Sequence, residues 1–315
     1  MSAFESCGLA VGHATDVSGA TGCTVIRGIE LPFRCGVHIM GRATGTRELS
    51  LLDPAQLVDR VDAIFLAGGS AYGLDAAAGV MRWMEERGRG FPVGDGVVPI
   101  VPGAVIFDLA PLGRFDARPT AAMAYDACES ASSLGIAEGS IGAGTGATIG
   151  KIGGPARAMK GGIGLGAADA GSLHVRALAV VNALGDVRNA SGHILAGARG
   201  EGGGWLDSAH YIARGIEARF DTVAGRNTTL CVVSTNAALD RVQLSSVARA
   251  AAAALFRRIT PVATAFDGDI IFATAPVAGG VRSTPAQVEV LAAVALEHAI
   301  ERGVQTTSPG DIFTG

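Results

Sequence analysis

The sequence predicts a mixed α/β protein with a large hydrophobic core. Of its 315 residues, 49% are apolar and 17% are charged, a balance that argues against disorder. Its 46 glycines, with only 5% aromatic residues, predict a tightly turned fold whose backbone segments approach one another closely. Short β-prone runs alternate with stretches whose apolar residues recur every three or four positions. One large domain and two smaller ones both fit this length.

Composition also excludes several functional classes. The formal charge of -4 shows no basic stripe, so we expect no nucleic-acid partner. The five cysteines form no CxxC pair, which fits neither a disulfide framework nor a zinc site and favours a reducing cytoplasm. The start of the chain lacks a signal-peptide pattern, and no apolar run is long enough for a membrane span. Without an HExxH motif we expect no catalytic metal.

The first hundred residues predict strands and two helices. Residues 21–26 and 35–40 are β-prone runs broken by Gly and Pro. Residues 53–56, Asp-Pro-Ala-Gln, predict the capped start of a helix. Residues 62–67 predict a buried strand, which ends in the glycine-rich corner 68–73 before an amphipathic helix. Such a corner fits a ligand-binding turn and an ordinary tight turn equally well.

The middle of the chain contains a glycine-rich stretch that could suggest phosphate binding. It follows a predicted core strand at residues 101–109 and a small-residue helix at 120–133. A P-loop at residues 145–152 would need Gly in place of Thr145 and Ser or Thr in place of Ile152. A dinucleotide fingerprint would need a helix next, and further glycines interrupt the chain there. We therefore predict no nucleotide site.

Two polar residues stand out between residues 158 and 184. Lys160 is surrounded by glycines and is one of only two lysines in the sequence, which predicts either a placed ammonium or a solvated loop charge. Residues 175–184 predict a long strand with Asn182 inside its apolar run. A buried amide without partners costs about 1–3 kcal/mol. Its NH₂ could serve an oxyanion or bond a neighbouring turn.

The last third predicts three helices and two strands. Helices are expected at residues 206–220, from residue 244 to Arg258, and from the Thr-Pro cap at 284 to about residue 303. Before the last of these helices, Asp267 and Asp269 flank a glycine at the mouth of a strand. An Asp-Gly-Asp corner is also typical of an ordinary turn.

The junction of Asn227 and Thr228 is the most informative stretch. Here a loop with Asn and two threonines runs directly into an apolar, β-branched strand. If the chain cut its own peptide bond after Asn227, Thr228 would carry a hydroxyl and a free α-amine, which are a nucleophile and a base on one residue. Without that cut, β-propensity and hydroxyl capping of loop backbone explain the threonine pair.

Taken together, five segments resemble the motifs of the self-processing L-aminopeptidase/D-esterase family. That family includes the β-peptidyl aminopeptidases and the nylon-oligomer hydrolases, is Ntn-hydrolase-like, and is similar in fold to ornithine acetyltransferase. The segments are residues 69–74, 142–148, 160–164, 227–230 and 267–269. The resemblance covers the chain from about His13 to Pro276.

The resemblance implies a fold and a processing event. The fold would be a four-layer αββα sandwich, built as one catalytic domain from residues 1–315. Cleavage between Asn227 and Thr228 would divide it into residues 1–227 and 228–315. Relatives of this kind usually form tetramers of cleaved heterodimers, so we expect a homo-oligomer in the cytoplasm.

The resemblance also implies a role for each residue that matches a family motif. Thr228 corresponds to the nucleophile and Asn182 to the amide that donates to the oxyanion. Lys160 corresponds to a nearby ammonium, which would stabilise the deprotonated hydroxyl. Asp267 and Asp269 correspond to carboxylates beside the nucleophile, and this aspartate pair is more similar to the nylon-oligomer branch, because β-aminopeptidases carry Ser and Glu there.

Substrate contacts are implied for three further residues, Tyr72, Gly144 and Thr145. The chain departs from the family pattern at Ser234 and Asn236, where Ala and Asp are expected. These departures leave the fine specificity open.

The resemblance therefore implies an amide hydrolase that needs no metal or organic cofactor. Small peptides or short amide oligomers would be the substrates, and each would pass through an acyl-enzyme. The sequence leaves two alternatives open. One is an acyltransferase of the ornithine acetyltransferase type on the same acyl-enzyme route, and the other is an uncleaved binding relative without catalysis. The choice among α-, β- and ω-amino amides is open.

Overall fold

The computed structural model describes residues 4–215 and 227–307. Within these residues two five-stranded sheets form the centre of the protein. In spatial order the first sheet contains β1 (Leu9–Asp16), β2 (Thr21–Gly28), β5 (Ala63–Ala67), β8 (Gly103–Val105) and β4 (Gly45–Arg47). The second contains β11 (Gly162–Ala170), β12 (Leu173–Asn182), β15 (Thr228–Thr235), β17 (Ile270–Pro276) and β3 (Phe33–Ile39).

The two sheets pack face to face through alternate residues of their strands. Ile26 and Ile64 of the first sheet share one hydrophobic cluster with Leu178, Leu230 and Phe272 of the second, and all five are fully buried. Successive side chains of a strand point to opposite faces, so their neighbours in sequence face outward. Both outer faces must therefore be covered as well.

Helices cover those outer faces. Helices α1 (Ala77–Glu85) and α2 (Ala121–Glu129) lie on the first sheet, where Val80 and Met84 share a cluster with Phe65. Helices α4 (Arg241–Arg258) and α5 (Pro285–Gln305) lie on the second sheet. There they pack against the outward-facing residues of β12, β15 and β17. The four-layer αββα sandwich predicted from the resemblance is confirmed.

Shorter elements complete the fold. They are β6 (Phe91–Val93), β7 (Gly96–Val98), β9 (Thr148–Ile149), β10 (Met159–Lys160), β13 (Asp186–Arg188), β14 (Ile194–Ala196), α3 (Ser208–Ala213) and β16 (Ile259–Thr260). The helix predicted at residues 206–220 is observed as α3, and its part beyond residue 215 lies outside the described residues. No helix within the described ranges is long and apolar enough to cross a membrane.

Two sequence predictions were wrong in detail. Residues 53–56 form a turn and not a helix start. The carboxylate of Asp53 accepts from the N–H of Ala55 at 2.8 Å, and four backbone carbonyls of residues 53–58 accept from the Arg241 guanidinium. The predicted strand at residues 101–109 pairs only over Gly103–Val105. The chain then leaves the sheet, and the carboxylate of Asp108 is buried.

Candidate active site

The end of β12 and the starts of β15 and β17 lie at the same end of the second sheet. Thr228 is the first residue of β15 and is only 4% exposed. Because β12 runs antiparallel to β15, its last residue, Asn182, pairs with Thr228. The strand β17 runs parallel to β15, with Ile270 opposite Leu230. The segment before Ile270 therefore enters the sheet at the same end as Thr228. The topology thus brings the predicted nucleophile, amide and aspartates together.

The peptide bond before Thr228 is held by hydrogen bonds at its carbonyl oxygen. The oxygen of Asn227 accepts from the Thr228 hydroxyl at 2.6 Å and from the Gly268 N–H at 2.8 Å. Asn227 itself is fully buried. Two donors on one carbonyl oxygen polarise its carbon toward attack. The predicted cleavage site therefore carries a hydroxyl in contact with an activated carbonyl group.

The structure leaves no space for a side chain at position 268. A Cβ at this position would lie 2.7 Å from the Thr228 Oγ1 and 2.6 Å from the carbonyl oxygen of Ala43. The glycine between the two aspartates therefore lets the turn lie directly against the Thr228 hydroxyl.

The two aspartates have different surroundings. Asp269 is 1% exposed, and its Oδ1 accepts from the Thr229 N–H at 2.7 Å. Burial, together with the charge of neighbouring Asp267, raises the pKa of Asp269 to about 7. Asp267 accepts from the backbone N–H and the hydroxyl of Thr264, at 2.8 and 2.7 Å. Asp269 is thus the carboxyl that is bonded to β15, and its pKa lies near neutral pH.

Asn182 has a defined amide orientation. Its Oδ1 accepts from the Thr148 N–H at 3.0 Å and from the Lys151 Nζ at 2.8 Å. Its Nδ2 donates to the carbonyl oxygen of Phe107 at 3.3 Å. An amide whose oxygen faces two donors presents its NH₂ at the opposite end. The structural hydrogen bonds expected of a buried amide are therefore present, and the oxyanion role of Asn182 stays a prediction.

Lys160 makes three hydrogen bonds with backbone carbonyls. Its Nζ donates to Gly144, Ala147 and Gly161 at 3.0, 3.1 and 2.9 Å. Burial lowers the pKa of Lys160 to about 7, and the charge of Asp108 opposes that shift. These three bonds use the three donors of an ammonium. Both the electrostatic role of Lys160 and its direct contact with the deprotonated hydroxyl stay predictions.

Asp108 is a buried acid that the sequence analysis assigned only to a strand. It accepts from the Thr21 hydroxyl at 2.7 Å and from the Gly69 N–H at 2.6 Å. Burial raises the pKa of Asp108 to about 6, against the hydrogen bonds from Gly69 and Thr21 and the smaller effect of the Lys160 charge, which lower it. The N–H of Gly69 in the glycine-rich corner thus binds a carboxylate of the protein itself. A lone Asp at the end of an apolar run was the only signal in the sequence.

Lys151 is a second residue that the sequence analysis left without a role. It is 6% exposed, and its Nζ donates to both the backbone oxygen and the Oδ1 of Asn182. The sequence offered no signal beyond the rarity of lysine in this chain.

The residues implied to contact substrate lie in two places. Thr145 and Lys160 line a cavity of about 420 Å³, together with residues of the β1–β2 turn and the end of α5. Gly144 lies beside it and accepts from Lys160. Tyr72 is 54% exposed, and the Arg118 guanidinium lies 3.6 Å from its ring centroid. All three substrate contacts stay predictions.

No cluster of three or more metal-ligating side chains occurs in the part of the chain that the structure describes.

A comparison with family models decides the relationship. The model of peptidase family S58 matches residues 7–309. The chain belongs to peptidase family S58. Membership makes it a hydrolase of amide bonds, as the sequence analysis predicted.

Individual relatives agree with this family. An uncharacterized aminopeptidase of Mycobacterium tuberculosis (strain H37Rv) is 42% identical over 314 residues, covering 94% of this chain and 87% of the relative. A 6-aminohexanoate-oligomer endohydrolase of Kocuria sp. is 32% identical over 282 residues, covering 86% and 73%. The fold also matches a solved L-aminopeptidase D-Ala-esterase/amidase from Ochrobactrum anthropi, described as a variant of the Ntn hydrolase fold. That match has a TM-score of 0.69 at 18% identity and covers 94% of this chain and 83% of the other.

Proposed function

We propose that this S58 peptidase cuts its own chain between Asn227 and Thr228 and then hydrolyses amides with Thr228 as an N-terminal nucleophile. The observation that carries the proposal is the contact at the predicted scissile bond. There the Thr228 hydroxyl lies 2.6 Å from the carbonyl oxygen of Asn227, and the Gly268 N–H donates to the same oxygen. A nucleophile and an electrophilic carbonyl are already neighbours in the uncut chain.

Maturation follows from that contact in two steps. The Thr228 oxygen attacks the Asn227 carbonyl carbon as its proton is withdrawn, and the Gly268 N–H stabilises the resulting oxyanion. The C–N bond then breaks, which leaves an ester on the Thr228 oxygen and a free α-amine on the same residue. Water hydrolyses the ester and releases the carboxylate of Asn227. Asp269 is the nearby group whose pKa of about 7 suits it to accept and return the proton.

Turnover uses the newly formed terminus. An α-amine titrates near about 7.7–8.0, so an appreciable fraction is neutral at neutral pH and can take the hydroxyl proton. Thr228 then attacks the substrate carbonyl, Asn182 donates to the oxyanion, and the protonated amine product leaves. Water hydrolyses the acyl-enzyme. Losing one oxyanion donor costs about 2.7–4 kcal/mol in comparable enzymes, which sets the contribution expected of Asn182.

The proposed substrates are short amides with an amino-acyl group. One relative is named an aminopeptidase and another an amide-oligomer endohydrolase, which supports both types of substrate. The Asp267 and Asp269 pair favours the oligomer hydrolases, because the sequence resembles that branch at these two positions. We therefore propose either aminopeptidase or short-oligomer amidase activity.

We also propose that the cleaved protein forms a homotetramer in the cytoplasm. Tyr72 and Phe115 are exposed aromatic residues that contact each other, with ring centroids 6.4 Å apart, which supports an oligomer that covers them. All five cysteines fall within the described residues and are buried free thiols, which supports a reducing cytoplasm. Light scattering of the purified protein tests the tetramer by its mass.

Trapping the acyl-enzyme tests the nucleophile. A panel of glycyl, β-alanyl and 6-aminohexanoyl p-nitroanilides is incubated with wild-type protein and with Thr228→Ala, quenched in acid and analysed by peptide mass spectrometry. The proposal predicts an acyl adduct on Thr228 and no turnover in the variant. Turnover by Thr228→Ala, or an adduct on another residue, would contradict it. An added amine acceptor that outcompetes water would instead identify an acyltransferase.

A further inference from the structure

The two lysines of the chain contact different groups. Lys160 donates to carbonyls of its own glycine-rich neighbourhood. Lys151 instead donates to Asn182 twice, to the backbone oxygen at 2.9 Å and to the side-chain Oδ1 at 2.8 Å. It begins a short 3-10 turn directly after β9, and its backbone N–H donates to Leu184 at 3.1 Å. The turn is therefore fixed to the chain that leaves β12.

We propose that Lys151 is a positioning residue that sets the amide of Asn182 for oxyanion binding. The inference rests on the proposed function, in which the Nδ2 of Asn182 is the oxyanion donor. The two ends of an amide differ only in which one donates, so its neighbours decide the orientation. Lys151 and the Thr148 N–H both donate to Oδ1. A flipped amide would place its NH₂ against these two donors and its oxygen toward the developing negative charge.

The double contact explains why a lysine occupies this position. One ammonium bonds the backbone oxygen and the side-chain oxygen of the same residue, so it fixes the end of β12 and the amide together. Because Asn182 pairs with Thr228 across β12 and β15, fixing the strand end also fixes the amide relative to the nucleophile. A displacement of about 1 Å at such a group can cost about 10²-fold in rate. In this scheme Lys151 therefore acts through Asn182.

A double-mutant cycle tests this inference. Lys151→Met, Asn182→Ala and the double variant are compared with wild type after the cleaved fraction has been measured and rates normalised to active sites. We expect Asn182→Ala to lower kcat by about 10²–10³-fold and Lys151→Met to lower it by at least about 10-fold with KM little changed. In the Asn182→Ala background, Lys151→Met should change kcat by less than about two-fold, because its effect passes through the missing amide.

Two further variants separate positioning from folding. Arg241→Met is the matched control, since Arg241 is another cation that donates to backbone carbonyls, those of residues 53–58. It should lower the melting temperature without lowering kcat. If Lys151→Met does not fold, Lys151→Arg keeps a charged donor and supplies the same cycle, with a smaller loss of kcat that again disappears in the Asn182→Ala background.

The outcomes are distinguishable. If kcat of Lys151→Met or, where that variant does not fold, of Lys151→Arg stays at the wild-type value, or falls equally in the presence and absence of Asn182, the positioning role is overturned. If Asn182→Ala keeps wild-type kcat, the oxyanion assignment within the proposed function is wrong, and the inference fails with it.

Discussion

The peptide N–H of Gly268 donates a 2.8 Å hydrogen bond to the carbonyl oxygen of Asn227. This bond connects the turn between the two aspartates to the peptide bond at which we propose self-cleavage. That turn leads directly into β17 (Ile270–Pro276), which is parallel to β15. The site is therefore arranged before any cut is made.

Enlarging Gly268 should slow maturation. In Gly268→Ala the new Cβ would lie 2.7 Å from the Thr228 Oγ1 and 2.6 Å from the carbonyl oxygen of Ala43, so the turn or the hydroxyl must move. We expect self-cleavage to slow by at least about 10-fold, measured from the two fragments on a denaturing gel over time. Gly96→Ala is the control, because its Cβ would meet no atom within 4 Å. Equal cleavage rates in both variants would show that crowding at the hydroxyl is unimportant.

The stability of the uncut protein should depend on Asp269 in a defined direction. The pKa of Asp269 is raised from 3.8 to about 7 in the fold. Between about pH 4 and pH 7 the unfolded chain loses this proton while the folded chain keeps it, so the free energy of unfolding falls as the pH rises. An asparagine at position 269 would have no titratable proton, so this loss of stability would be absent.

We therefore expect Asp269→Asn to stabilise the uncut chain increasingly as the pH rises. In a Thr228→Ala background the gain should grow from about pH 4 and level off above about pH 7, reaching on the order of 1–4 kcal/mol. Urea unfolding at a series of pH values measures it. A gain that shrinks as the pH rises would contradict the assignment of Asp269 as a carboxyl with a raised pKa.

The charge of Lys160 should appear in the pH profile of turnover. A nearby cation disfavours the protonated form of the Thr228 α-amine and so lowers the pKa of that amine. In Lys160→Met the acid limb of kcat/KM, which reports the base of the free enzyme, should move to higher pH by less than about one unit, because the Lys160 pKa of about 7 leaves only part of its positive charge present where the amine titrates. Arg60→Met, which removes a half-exposed surface cation, is the control. If the acid limb of kcat/KM stays in place or moves to lower pH in Lys160→Met, an electrostatic role for Lys160 is excluded.

The sequence predicted the strands of this site better than the contacts between them. The β-branched run after Thr228 and the apolar run around Asn182 predicted strands that are observed as β15 and β12. Both strand predictions depend on local pattern and propensity, which a sequence shows directly. That the two residues pair across neighbouring strands depends on sheet order, which local pattern does not contain.

The missed features all depend on partners that are distant in the sequence. Residues 53–58 form a turn because Arg241, far along the chain, binds their carbonyls, and local propensity favoured a helix there. Asp108 was assigned to a strand because its partners, Thr21 and Gly69, come from other elements. Lys151 had no visible role because the amide that it binds is 31 residues away.

Intact mass under denaturing conditions tests the central claim most directly. Purified wild-type protein and Thr228→Ser are followed over time, and Thr228→Ala is the control that lacks the hydroxyl. We predict that the mass of about 31.6 kDa gives way to two fragments that meet at Asn227 and Thr228 in the first two proteins, in step with the appearance of amidase activity. We predict that it persists in the inactive Thr228→Ala variant. Full activity from a protein that remains one uncut chain would contradict the account.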